Sequence, residues 1–255
     1  MTVPVITLEP IVNARIPYVN GFSYKVASNT TLTINDGQGS DSSNQIDISV
    51  STVAGTTTLS TAVVGVNGID TGTIAASTMY ALYVISDTLQ NNRSAFILSL
   101  LTTGPNLPTG YGAWRRIGWA LTDGSSNLLP MWLDGQGSAK RFQWDTPISV
   151  LSAGHQTSTF AAVNCITAIP LMNTVAILNA KFTPNAATDT AQFRVTGSAA
   201  TSGQFAITGA VAAVAQDVYM EFPVQINSTA IDFDYELTSG SDALTVLVVG
   251  FIDYL

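Results

Sequence analysis

Charged side chains are scarce in this chain of 255 residues. Asp, Glu, Lys and Arg make up 10% of the sequence, whereas 46% of it is hydrophobic. Globular proteins average about 25% charged residues. The sequence also has one histidine, His155, and one cysteine, Cys165. An internal disulfide is therefore excluded, and a zinc site of the usual type lacks the ligands that it needs.

The same scarcity argues against nucleophilic catalysis. A nucleophilic side chain needs an adjacent base, and no G-x-S-x-G motif accompanies the lone histidine. We predict that His155, which follows Ala153 and Gly154, lies in an exposed loop. Val163 and Cys165 fit one face of a strand, so we predict that Cys165 is a small buried apolar residue. We expect no catalytic residue, no cofactor and no metal.

Long apolar segments are missing as well, and we expect no leader sequence. The longest apolar run, near residues 243–252, is far shorter than the roughly 20 residues of a membrane-spanning helix. The first four residues lack the basic and then apolar character of a secretory signal. We therefore expect synthesis in the cytoplasm, without export or membrane insertion. The net charge of −8 repels phosphate backbones, so nucleic acid is not an expected partner.

What the sequence does contain is alternation with a period of two, which predicts β-strands separated by short turns rich in Asn, Asp and Gly. Clear examples are residues 31–35, 46–51, 117–122, 205–207 and 231–237. Residues 79–85, 95–101 and 244–254 are instead apolar on both faces. We predict that these are central strands, or strands whose second face is covered by another subunit.

The order of these patterns predicts an all-β fold of two antiparallel β-sandwich modules of jelly-roll type, preceded by a short N-terminal arm. A change of composition near residues 145–154 divides the modules, because all four tryptophans precede it and Ala and Thr dominate after it. The predicted units are residues 1–20, 21–147 and 148–255. Residues 1–20 form either an edge strand of the first module or an arm that docks on another subunit by strand addition.

Two groups of acidic residues are candidates for chemistry. Asp36, Asp41 and Asp47 surround a glycine-rich loop and could converge on calcium, but they do not match the EF-hand pattern and are ordinary turn formers. Asp232, Asp234 and Glu236 alternate along one strand face, where they could supply the acid–base pair of a glycosidase. Because such pairs normally come from different elements, we favour a solvated strand face.

Arg115 and Arg116 form a local basic pair with tryptophans nearby. Stacking on nucleic-acid bases is one interpretation. In a chain this acidic we favour a buried ion pair with an aspartate, and the sequence offers Asp70 and Asp123 as partners.

One segment resembles a known module. Its sequence VNGIDTG (residues 66–72) is followed by TIAASTMYALYVI (73–85), then PNLPTGY (105–111) and RRIG (115–118). This is similar to virion structural proteins of tailed bacteriophages, particularly tail-fibre-like and head- or tail-associated proteins, over roughly residues 21–129. The matching positions are Asn67, Gly68, Asp70, Thr71, Gly72, Tyr80, Tyr83, Pro108, Gly110, Tyr111, Arg115 and Arg116.

The resemblance implies a non-enzymatic structural protein on the virion surface, either tail-fibre-like or a decoration of the head or tail. It also implies a homo-oligomer, most simply a trimer, and the strands that are apolar on both faces favour self-association too. Residues 1–20 would contact other virion proteins. One alternative is a module that binds a host receptor or glycan by stacking on Trp114, Trp132 or Tyr111. Another is a tailspike hydrolase that uses Asp232 and Asp234.

The residues of the motif have physical roles that hold a fold. Asn67 and Gly68 predict positive φ angles in a turn like type I′. Asp70 and Thr71 predict side-chain caps on that turn. Tyr80 and Tyr83 fall on opposite strand faces, so at least one hydroxyl should reach a partner.

Overall fold

The computed structural model describes residues 16–88, 93–134, 139–155 and 159–254. Every regular element in these ranges is a β-strand, which confirms the predicted all-β, sandwich-like class. The strands are β1 (Val19–Gly21), β2 (Tyr24–Ser28), β3 (Thr31–Asn35), β4 (Gly37–Ser40), β5 (Asp47–Val50), β6 (Thr56–Ser60), β7 (Gly68–Ile69), β8 (Met79–Ser86), β9 (Ser94–Ser99), β10 (Ala113–Leu121), β11 (Met131–Asp134), β12 (Ala139–Gly154), β13 (Ala161–Asn164), β14 (Thr174–Thr183), β15 (Thr190–Val195), β16 (Phe205–Thr208), β17 (Gln216–Asn227), β18 (Ala230–Leu237) and β19 (Ala243–Tyr254). None of the described residues form a helix that could span a membrane.

The first half of the chain forms three small sheets. Two have three strands, in the orders β1-β4-β5 and β2-β3-β6, and the third has the order β10-β8-β9-β7. The alternation predicted for these strands is confirmed, because Leu32, Ile34 and Ile48 are fully buried. Phe22 packs edge to face on Phe96 at 5.8 Å between ring centroids and so joins the small sheets to the four-stranded one.

Strands β8 and β9 are the inner strands of the four-stranded sheet, as their two-sided apolar pattern predicts. Residues 80–86 of β8 and 95–99 of β9 are all buried. Most of the pairing is antiparallel, but β7 runs parallel to β9, with Gly68 opposite Ile97 and Ile69 opposite Leu98. This parallel pair departs from the antiparallel modules that we predicted.

The second half forms one nine-stranded antiparallel sheet in the order β11-β12-β19-β14-β17-β18-β15-β16, with β13 paired to β18. The sheet curls around an aromatic core. Phe142 stacks on Phe251 at 4.9 Å between centroids, and Phe193 lies about 6 Å from both Phe222 and Phe233. Because core residues of β12, β14, β17 and β19 alternate with outward ones, the sheet has one buried and one outer face.

The predicted module boundary between residues 147 and 148 falls within β12. This strand of 16 residues pairs with β19 from Ala139 to Gly154, with shifts of register that begin between Gln143 and Ile148. The composition change therefore coincides with a bulged strand rather than with a linker. Residues 1–15 of the predicted arm lie outside the described residues, and Val19–Gly21 is an edge strand of a small sheet.

Candidate functional site

The first motif turn holds the edge of strand β9. Asn67 has a positive φ of 56°. Its backbone N–H donates to the Phe96 carbonyl at 2.9 Å, and its Oδ1 accepts from the Phe96 N–H at 3.0 Å. One asparagine therefore satisfies both backbone groups of a strand residue, and this anchors the turn to the sheet.

Gly68 has a different role from the one that its sequence predicts. Its φ is not in the positive range, so the predicted type I′ turn, which needs positive φ at both positions, is wrong. A Cβ at Gly68 would overlap the carbonyl oxygen of Val63. Glycine is required here because two backbone segments pass closely. Gly72, with φ 75°, does use the conformational freedom of glycine.

Asp70 joins the two motif segments to each other. Its Oδ2 accepts from Ser99 Oγ at 2.6 Å, from Asn106 N at 3.0 Å and from Asn106 Nδ2 at 3.1 Å. Thr71 Oγ1 donates to the other carboxylate oxygen at 3.4 Å. Asp70 therefore caps the loop of residues 105–111 rather than its own turn, and it is not the partner of either arginine.

Both motif tyrosines have hydroxyl partners, which confirms that prediction. The Tyr80 hydroxyl accepts from Ala75 N at 2.7 Å, and the Tyr83 hydroxyl donates to Leu101 O at 2.7 Å. Burial raises the pKa of Tyr83 to about 12, so this hydroxyl keeps its proton in ordinary buffers. The Tyr83 ring also meets Trp114 edge to face, with 5.4 Å between centroids.

The second motif loop closes on itself and then enters β10. Tyr111 N donates to Pro108 O at 3.1 Å, and Gly110 between them has φ 90°. The Tyr111 ring is half-buried against the core. Trp114, Arg115 and Arg116 follow this loop directly, as the second to fourth residues of β10.

The two arginines have partners that sequence reasoning did not find. Arg116 Nη2 donates to Asp253 Oδ1 at 3.0 Å, across 137 positions. Arg115 Nη1 donates to Asp41 O and to Asn44 Oδ1, both at 3.2 Å. The predicted aspartate partners were wrong: Asp123, like Asp70, is used elsewhere and caps its own turn at Ser125 and Asn127.

A depression lies beside β10 at the edge of the four-stranded sheet. Its volume is about 210 Å³, and it is open to solvent. The residues that line it are Ser42, Thr102, Thr103, Trp114, Arg115 and Arg116, and we call it the β10 depression. It combines one aromatic wall, two guanidinium groups and three hydroxyls, which is a lining suited to a small polar ligand.

Behind this depression lies a buried cluster of charges, which we call the ionic joint, between the four-stranded and the nine-stranded sheets. Asp253, 1% exposed, accepts from Arg116 and from Trp119 Nε1, the latter at 2.7 Å. Lys140, 2% exposed, lies near Asp253 and donates weakly to Gly21 O at 3.5 Å. Tyr24 completes the cluster, because its hydroxyl donates to Trp119 O and accepts from Trp119 N.

Burial dominates the pKa values in the ionic joint. It raises the pKa of Asp253, although Arg116 and the Trp119 hydrogen bond act in the opposite direction. It lowers the pKa of Lys140 to about 8, although Asp253 favours the charged ammonium. Burial also raises the pKa of Tyr24, so this phenol stays neutral. Keeping charged groups in the ionic joint therefore costs desolvation free energy.

The acidic candidates have structural partners. Asp232 and Asp234 are buried, so the predicted solvated face is wrong. Asp234 accepts from Arg194 Nε at 3.0 Å and from Thr196 Oγ1 at 2.9 Å, and Asp232 accepts from Asn227. In the calcium candidate, Asp36 accepts from Thr52, whereas Asp41 accepts from Gln45 and Ile46 of its own loop. The described residues contain no acidic, His or Cys group suited to a metal.

The two scarce residues behave as the sequence predicts. Cys165 is fully buried, and burial raises the pKa of its thiol to about 12. His155 is exposed after the end of β12, and its Nδ1 donates to Asp242 O. Neither residue lines the β10 depression.

The outer face of the nine-stranded sheet carries several apolar side chains among polar ones such as Asn179 and Lys181. Strand parity places five apolar side chains on this face: Trp132, Val175, Tyr219, Leu247 and Ile252. Trp132 and Tyr219 are each 68% exposed, and the other three are half-buried. Arg141 of β12 and Glu221 of β17 form an ion pair on the same face.

Comparison with known proteins adds little. No family model and no curated protein matches the chain. Similar solved structures include the mosquito-larvicidal Cry4Aa toxin of Bacillus thuringiensis, at 12% identity over 94% of this chain and 52% of the toxin, with TM-score 0.23. The tryptic core variant of Cry1Da is 7% identical over 92% of this chain and 51% of its own, with TM-score 0.24. The insecticidal delta-endotoxin Cry8Ea1 is 9% identical over 94% of this chain and 52% of its own, with TM-score 0.20. The chain thus spans about half of these chains, and such TM-scores support no conclusion about fold or function.

Proposed function

We propose that the chain is a structural protein of a bacteriophage virion, without enzymatic activity, that assembles as a homotrimer on the surface of the particle. The resemblance of residues 21–129 to tail-fibre-like and head- or tail-associated proteins supports the virion as its location. In this proposal residues 1–20 contact other virion proteins, and the outer face of the nine-stranded sheet contacts copies of the same chain.

The single observation that best supports assembly is the set of exposed and half-buried apolar side chains on the outer face. It extends over five strands, from Trp132 on β11 to Tyr219 on β17, which is about 19 Å at the usual strand spacing. With strands of ten to twelve residues, the face measures roughly 600 Å². A standard interface takes about 800 Å² from each partner. The face therefore offers most of the area that a stable contact needs.

The contacts of the motif support a structural rather than a catalytic role. Asn67, Asp70 and Tyr83 each use their polar atoms to hold a loop or a strand edge. Of the carboxylates considered for hydrolysis, Asp234 is paired with Arg194 and Thr196, and Asp232 accepts from Asn227 through Oδ2. A hydrolase would need such acids to converge in a cleft around a glycosidic bond.

Light scattering of the purified protein tests assembly directly. We expect a mass three times the 26.8 kDa of one chain. Trp132→Glu combined with Tyr219→Glu should dissociate the oligomer, because it places charges in the contact without disturbing the buried core. Val53→Glu is the matched control, since Val53 is fully exposed in the loop between β5 and β6. A folded wild-type monomer at micromolar concentration would refute the proposal.

A glycan-binding module is the second candidate, and the β10 depression specifically favours it. The depression contains Trp114, one of the tryptophans that sequence analysis considered for stacking. Trp132 is more exposed, but it lies on the flat outer face, where its Nε1 donates to Asp145 at 3.2 Å. A concave site with hydroxyls and guanidinium groups suits a sugar better than a flat one.

A further inference from the structure

We infer that the β10 depression binds a single sugar residue that carries a carboxylate. This inference goes beyond the structural role, and it holds whether or not the chain assembles on a virion. It depends on three observations: the guanidinium donors that remain available at the depression, the positive charge of its lining, and the fixed position of one indole ring.

The first observation is the number of guanidinium donors left over. A guanidinium group has five N–H donors. Arg116 uses Nη2 on Asp253, and its buried Nε has no hydrogen-bond partner among the described residues. That Nε is buried, so a ligand in the depression does not reach it. Among the described residues, Arg115 hydrogen-bonds through Nη1 alone, to Asp41 O and Asn44 Oδ1. The remaining donors of Arg115 are therefore the ones that a ligand in the depression can use.

The second observation is local charge. The chain as a whole carries −8, but Arg116 and Lys140 share one carboxylate, Asp253. Lys140 and Asp253 are buried behind the depression, whereas Arg115 and Arg116 line it. The Asp41 carboxylate lies near Arg115 but is not part of the lining. Among the described residues, the lining therefore carries two positive charges and no carboxylate. This excess attracts an anion, and fixed guanidinium groups suit a carboxylate because both are planar.

The third observation is the rigid aromatic wall. Trp114 is packed edge to face against Tyr83, and a Cβ on Gly104 would lie 2.8 Å from the indole. The ring therefore has little freedom to move. A fixed, half-exposed indole offers an apolar surface for the C–H face of a sugar. A simple inorganic anion gains nothing from such a surface.

The remaining wall and the volume limit the size of the ligand. Ser42, Thr102 and Thr103 are exposed at the rim, and their hydroxyls can exchange hydrogen bonds with sugar hydroxyls. The volume of about 210 Å³ is below the roughly 300–1,000 Å³ of sites for drug-sized molecules. One sugar ring fits this size, whereas a longer glycan must extend into solvent.

A titration followed by NMR tests the inference. The probe is methyl β-D-glucuronide, and the readout is the indole N–H resonance of Trp114, assigned with Trp114→Phe. We expect this resonance to shift with millimolar affinity, while those of Trp132 and Trp144 stay in place. Separate control titrations use methyl β-D-glucoside, acetate and inorganic phosphate. Each of these should bind about tenfold more weakly than the glucuronide does.

Two variants test the assigned residues. Arg115→Gln should weaken glucuronide binding about tenfold. Thr103→Val should weaken it severalfold and keeps the shape of an exposed side chain, so it remains informative if Arg115→Gln fails to fold. Thr58→Val, at an exposed position of strand β6, is the control and should bind as the wild type does.

Three outcomes would overturn the inference. The first is a Trp114 resonance that does not shift with the glucuronide. The second is equal binding of the neutral glucoside, which would remove the role of the arginines. The third is equal or tighter binding of phosphate or acetate, which would leave an anion site without sugar recognition. The mass of the same samples by light scattering reports on assembly separately, so failure of one proposal is distinguishable from failure of the other.

Discussion

At the scale of single residues, the ionic joint shows desolvation and pairing in competition. Asp253 has two cations and an indole N–H around it, yet its pKa is raised because water is excluded. Burial of charges in such a cluster rarely adds net stability, but it penalises alternative packings in which the charges lose their partners. We therefore interpret Arg116, Lys140 and Asp253 as residues that specify how the two halves of the chain meet.

Lys140 makes a prediction about pH. Its pKa is about 8 in the folded protein and 10.5 in the unfolded chain, so between these values the unfolded chain binds more protons. The free energy of unfolding should therefore rise with pH across this window, by up to about 3 kcal/mol. Lys140→Met should abolish this rise and be more stable than the wild type near neutral pH, because it removes the buried ammonium.

Urea unfolding of both proteins at about pH 7 and about pH 9.5 measures the effect. The raised pKa values of Cys165, Tyr24 and Tyr83 lower stability at alkaline pH, but these groups are present in both proteins. Their effect cancels in the difference between the two. A wild type and a variant that respond equally to pH would show that Lys140 is not desolvated in solution.

At the scale of elements, close passage of backbones fixes several positions. Gly250 of β19 is the clearest, because a Cβ there would overlap the carbonyl oxygen of Phe142 on the paired strand β12. A backbone carbonyl cannot move aside as the end of a flexible side chain can. An added methyl group at Gly250 must therefore push β12 and β19 apart.

Gly250→Ala should therefore destabilise the protein by about 3 kcal/mol or more. Gly240→Ala is the matched control, since no atom lies within 4 Å of its Cβ position and its φ is not positive. The control should change the free energy of unfolding by less than about 0.5 kcal/mol. Chemical denaturation of the two variants gives the comparison, and equal stabilities would show that β12 and β19 are not paired at Gly250.

The sequence predicted elements better than contacts. The two-sided apolar patterns of β8 and β9 identified inner strands, because hydrophobic pattern alone decides burial on both faces. The Asn67-Gly68 pair indicated a turn, but the close passage at Gly68 depends on Val63 from another segment. Asp253 could have been noticed as one charge in an apolar strand. Its partner Arg116, 137 positions away, could not, because pairing over such distances depends on the whole fold.

At the scale of the whole molecule, the described contacts connect two differently built halves. The first half consists of small sheets around β8 and β9, and the second is one curled sheet. Arg116 and Trp119 come from the first half, whereas Asp253 comes from the last strand of the second. One carboxylate therefore accepts hydrogen bonds from two side chains of the opposite half, and its loss should affect how the halves unfold together.

Asp253→Asn tests this coupling. The change keeps the shape but leaves Arg116 without its counter-charge, so we expect a loss of about 3 kcal/mol or more. We also expect the single unfolding transition to separate into two, because the halves lose their charged link. Hydrogen exchange read by mass spectrometry can follow peptides of residues 19–121 and 161–254 separately.

Asp234→Asn provides the matched control for the last prediction. Asp234 is also a buried carboxylate paired with an arginine, but Arg194 and Thr196 both belong to the second half. Its loss should lower stability while the two halves keep whatever coupling the wild type has. If Asp253→Asn and Asp234→Asn unfold alike, the coupling comes from other contacts between the two halves rather than from the ionic joint. If only Asp253→Asn separates the two transitions, one buried carboxylate makes a single cooperative unit of two sheet systems.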